Sequence, residues 1–73
     1  MNSQINPKIM QEKVKFYFEN KIKIHLGLKD KEWLNGEIKK VKEDSFIFHE
    51  DKKGDLLVFF EEVYRISVYD KKD

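Results

Sequence analysis

The chain has 73 residues, no cysteine, and charged side chains at 40% of positions that nearly cancel to a net charge of +1. That length makes one small domain over 1–73 with a modest core. The composition excludes disulfides and thiolate metal sites, and the balanced charge excludes a uniformly basic nucleic-acid binder.

Asn6 followed by Pro7 reads as a helix cap and first helical residue. Ile9, Met10, Val14 and Tyr17 then recur at three- and four-residue spacing, which predicts a helix over about 7–18. Asn20 is suited to end it in the left-handed backbone region, and the aromatic last turn, "FYF", is expected to loosen toward extended structure. From Lys21 the period becomes two, with Ile22, Ile24, Leu26 and Leu28 on one face. "KDKE" turns the chain into a second strand from Trp33 to about Val41. Phe46 and Phe48 mark a third, and "EDKKGD" holds Gly54 in a tight turn. Residues 55–60 form a fourth strand, Glu61 and Glu62 break it, and 63–69 form a fifth with Ile66 and Val68 inward. The predicted fold is mainly β: an N-terminal helix, then a strongly bent five-stranded antiparallel SH3-like barrel over about 21–69. Gly36 is the expected site of the bend, and the helix is expected to cover one open end.

Chemistry-bearing residues are sparse. No nucleotide-binding loop, nucleophile triad or metal-ligand spacing is present, so neither an enzyme nor a cofactor is expected. His25 and His49 are too few for a histidine metal centre and read as exposed polar-face residues. Glu61 and Glu62 read as a solvated turn or an inter-subunit ion pair, because a small barrel offers little pocket to perturb a pKa. Trp33 reads as packing at a barrel end or interface. Strand alternation turns Phe59 and Phe60 opposite ways, one into the core and one onto a neighbouring subunit. No apolar run is long enough to span a membrane. The opening "MNSQINPKIMQEK" lacks the features of a secretory signal, so a cytoplasmic protein is expected.

Two hydrophobic signatures carry a family resemblance. The first is Ile22, Ile24, Leu26, a turn, Leu34-Asn35-Gly36-Glu37-Ile38, Val41, then Phe46 and Phe48. The second is "LLVFFEEVYRI", a strand, a short break, then Val63 and Ile66 returning to the core. Together they resemble the Sm-like superfamily, closest in pattern to its Hfq branch of RNA chaperones. The resemblance implies a homo-oligomeric ring of six or seven subunits that binds single-stranded RNA. The residues by which that family reads uridine are replaced, since Asp44, Phe46, Phe60 and Glu61 stand at their places. RNA contact is therefore expected from Lys39, Lys40, Lys42, Ser45, Phe60, Tyr64 and Arg65. Subunit contact is expected from Leu57, Phe59, Phe60, Tyr64, Ile66 and Val68, because the fourth and fifth strands would pair between neighbours. The other reading is an SH3-like barrel serving protein interaction or ribosome-associated assembly without an RNA pocket.

Overall fold

A computed structural model describes residues 7–69, so the cap expected at Asn6 lies outside the described residues. Helix α1 spans Pro7–Glu19. Met10 and Val14 are buried and Tyr17 and Phe18 pack partly against the core. Ile9 is not part of that stripe and stays 52% exposed. The "FYF" turn remains helical, and the helix ends in paired backbone bonds. Ile22 N–H donates to the Tyr17 carbonyl (3.0 Å) and Lys21 N–H to that of Phe18 (3.3 Å), the pattern of a Schellman stop. Lys21, at φ 54, takes the left-handed position expected of Asn20. Asn20 instead donates through Nδ2 to the Phe16 carbonyl at 2.9 Å. Because Ile22 belongs to this stop, the first strand starts later than its alternation suggests.

The strands are β1 (Ile24–Leu28), β2 (Trp33–Val41), β3 (Ser45–Glu50), β4 (Gly54–Phe59) and β5 (Val63–Val68), with a 3-10 turn at Phe60–Glu62. They form one sheet in the order β4-β3-β2-β1-β5, so β4 and β5 are its edges. Every pairing is antiparallel. Inward rows place Leu26 between Leu34 and Ile66, Ile38 beside Phe48, and Phe46 beside Val58. The sheet curls far enough that Val58 of β4 and Val63 and Ile66 of β5 join one core with Met10 and Val14. Val68 shares the row of Ile24 but lies at the edge and is 53% exposed, so it is not the inward residue its phase suggests.

The register shifts fall between Ile38 and Lys40 and between Gly27 and Leu28 rather than at Gly36. Gly36 answers a different need: a Cβ there would lie 1.9 Å from the His49 carbonyl oxygen. The β1–β2 turn places Lys31 at φ 74, with Lys31 N–H donating to the Leu28 carbonyl (2.9 Å) and Leu28 N–H to that of Glu32 (2.8 Å). In the β3–β4 turn the buried Glu50 carboxylate accepts the N–H groups of Lys52 (2.7 Å) and Lys53 (2.8 Å). Glu61 and Glu62 are exposed in the 3-10 turn, and the Glu62 carboxylate accepts the Phe59 N–H at 3.0 Å.

Candidate nucleic-acid interface

Alternation turns His25 and Gly27 of β1, Trp33 and Asn35 of β2, and Arg65 and Ser67 of β5 to the outer face. Cross-strand pairing lines them up in two rows, Trp33–Gly27–Arg65 and Asn35–His25–Ser67. The indole of Trp33 lies over Gly27, where a Cβ would meet its ring at 2.7 Å. It is also stacked on the His25 imidazole, with ring centroids 4.5 Å apart and planes 9° from parallel. The His25 Nδ1 is paired with the Asn35 side-chain amide.

Asn35 is held in turn by its backbone. Its N–H donates to Glu50 Oε2 at 3.3 Å, and its carbonyl accepts the Asp51 N–H at 2.9 Å. The backbone N–H groups of Lys52, Lys53 and Asn35 hold the Glu50 carboxyl below its ordinary pKa, against the opposing effect of burial. A fixed carboxylate thus anchors the strand that orients the imidazole under the indole. Trp33 nevertheless remains 46% exposed. The result is a flat aromatic platform with Arg65 at the far end of its row.

Beside it, Lys23 pairs with Asp51 at 2.6 Å and lies 4.7 Å over the Tyr69 ring. The hydrogen bond to Asp51 raises the Lys23 pKa. Lys53 is ion-paired with Glu32, which raises its pKa likewise. His49 Nδ1 bonds Asp55 at 2.7 Å on the exposed surface.

No protein-family model matches the chain, and no curated protein matches it.

The residues expected to touch RNA differ in exposure. Lys39, Lys40 and Lys42 are exposed and follow Trp33 by about 20–30 Å of extended chain at about 3.3 Å per residue. Ser45 is buried and donates to Asp44 Oδ1 at 3.0 Å. Phe60 is half-buried and stacked on Phe46 at 5.7 Å, because the 3-10 turn rotates it out of the strand's alternation. Tyr64 and Arg65 are exposed on β5. Of the expected subunit contacts, Leu57 and Phe59 on β4 and Tyr64 and Val68 on β5 are exposed, whereas Ile66 belongs to the core.

An open groove of about 600 Å³ runs between α1 and the β2–β3 turn over Phe18 and Val41. Lysines and glutamates alternate along its rim, so it is not a basic track. His25 departs from its expected role, being half-buried and hydrogen-bonded rather than simply exposed. The signal for the platform was a glycine in the outward phase of β1, a position where a side chain from the next strand can lie over the backbone.

Proposed function

We propose that the protein is an Sm-like RNA-binding protein, a homo-oligomeric ring that takes single-stranded RNA on the outer-face platform. The observation that carries this reading is the exposed Trp33 indole held flat by His25 and Gly27. A base stacked on such a ring contributes about 1–3 kcal/mol without sequence preference, and Arg65 supplies a cation for the adjoining phosphate. The helix-then-five-strand order and the two hydrophobic signatures support the Sm-like assignment. Ring formation is supported by the sheet edges, where Leu57 and Phe59 on β4 and Tyr64 and Val68 on β5 face solvent. Paired edges would bury these side chains, and closed symmetry would stop growth.

Fluorescence anisotropy with labelled U-rich and A-rich oligonucleotides at about 50 mM and about 200 mM salt tests the binding. Trp33→Ala is expected to weaken it by about tenfold; absence of binding by the wild type at the lower salt sinks the reading. Light scattering tests the ring. Tyr69 N–H bonds the Lys23 carbonyl, so strand alternation turns the Val68 N–H toward the open edge. Val68→Pro therefore removes an edge donor without breaking the β1–β5 ladder, and should reduce the ring to monomers.

One observation favours a protein-interaction module instead. Lys23 and Lys53 are both paired with carboxylates, which reduces the charge available to phosphates. Capture of a specific protein that survives nuclease treatment, with no RNA affinity, would select that reading.

A further inference from the structure

The outer-face row does not stop at Arg65. On β5, Val63 and Ile66 are buried, yet both residues between them are exposed. Strict alternation would turn one of the two inward. The register explains the exception: Leu28 of β1 pairs with Val63 and Gly27 with Arg65, so Tyr64 has no partner on β1. Two residues of β5 therefore stand against one of β1, the count of a β-bulge, a device that re-aims a side chain. The bulge leaves Tyr64 66% exposed, more than any other large hydrophobic side chain of the described residues, and sets it beside Arg65. Among the described residues neither side chain has a hydrogen bond or ion pair.

Three groups suited to nucleic acid thus follow one another across the strands. The Trp33 indole lies over Gly27, Arg65 is the partner of Gly27 on the neighbouring strand, and Tyr64 adjoins Arg65. Neighbouring strands are about 5 Å apart, so the series fits within two linked nucleotides. We infer that the unit bound on this face is a dinucleotide step of single-stranded RNA that crosses the strands rather than following one. One base stacks on the Trp33 indole, the phosphate joining the two nucleotides meets the Arg65 guanidinium, and the second base stacks on the Tyr64 ring. A ring at each end with a cation between them matches the order base, phosphate, base. The nearest acidic residues in sequence are Glu61 and Glu62 of the preceding turn, and the Glu62 carboxylate is engaged by the Phe59 N–H. The inference rests on the RNA-binding reading above but not on the ring. It gives Tyr64 to RNA and leaves Leu57, Phe59 and Val68 to the seam between subunits.

Trp33 is the sole tryptophan, so quenching of its fluorescence reads binding at the platform itself. The probes are uridine monophosphate, the dinucleotide UpU and a uridine hexamer. The wild type should bind UpU about tenfold more tightly than the monophosphate, the gain from a second stacked base. Tyr64→Ala should remove that gain and leave the monophosphate affinity unchanged, whereas Tyr64→Phe, which keeps a ring, should retain it. Arg65→Gln should weaken UpU several-fold and lower the salt dependence by about one counterion. Positions 64 and 65 are exposed, so circular dichroism should show every variant folded. If UpU binds no more tightly than the monophosphate, or Tyr64→Ala weakens both equally, the dinucleotide step is overturned while RNA binding stands. If Tyr64→Ala lowers the mass in light scattering and the preference for UpU persists, Tyr64 belongs to the seam and the inference likewise falls. Absence of quenching by all three probes at about 50 mM salt overturns the inference together with the RNA reading.

Discussion

Gly36 and Gly27 sit on neighbouring strands, and each lacks a side chain because something else fills the space. At Gly36 the occupant is backbone, with the His49 carbonyl oxygen 1.9 Å and the Glu50 Cα 3.0 Å from a Cβ position. At Gly27 it is the Trp33 ring, at 2.7 Å. The two differ in what can yield. A carbonyl inside the β2–β3 ladder cannot withdraw without losing pairing, whereas a half-exposed indole can rotate into solvent. The first glycine therefore serves the fold and the second serves the surface.

The sharpest way to break this comparison is Gly36→Ala. Its expected cost is about 3 kcal/mol or more, comparable with the whole stability of so small a domain. Far-UV circular dichroism should show a largely unfolded chain; a wild-type melt would contradict the backbone contact.

Next in size is Glu50→Gln, beside the same contact. The folded chain holds the Glu50 pKa below its unfolded value. The carboxylate's contribution is therefore complete above the unfolded pKa and is lost as pH falls through the lower folded one. Thermal melts should place the variant several degrees below wild type at neutral pH, and the gap should close as the solution is acidified through that window. A gap that is constant with pH would remove the carboxylate from its anchoring role.

Gly27→Ala should separate the two kinds of glycine. Stability should change by no more than about 1 kcal/mol, while RNA affinity should fall several-fold because the indole is pushed off its bed. Loss of stability without loss of affinity would reverse the assignment. The smallest effect is expected at Lys31, where φ is 74 and a glycine is missing rather than present. Lys31→Gly should raise stability by about 0.5–1 kcal/mol in denaturant unfolding.

The helix and the five strands were legible because their apolar residues repeat with clear periods, at Met10, Val14 and Tyr17 and then at Ile24, Leu26, Phe46 and Phe48. Errors arose where tertiary geometry overrides local phase. Ile9 fits the helical spacing but misses the core, Val68 has inward phase on an edge without cover, and Lys21 takes the left-handed stop beside a better-suited Asn20. Phe60 reads as strand until the 3-10 turn rotates it. The platform was the least legible part. Trp33 and His25 are visible singly, but their stacking depends on a cross-strand register that spacing alone does not give.

The order in which the pairings can form follows from the place of β1 in the sheet. β2, β3 and β4 are joined by short turns and can zip as successive hairpins. β5 must instead return to β1, and the Ile24–Val68 pair closes a loop containing nearly the whole sheet. Closing long loops is entropically unfavourable, so such contacts come late. The row that ends at Arg65 crosses that late seam. Its aromatic half is set when β1 meets β2, while its cation arrives only with the final strand, making that end the last part of the platform to form during folding.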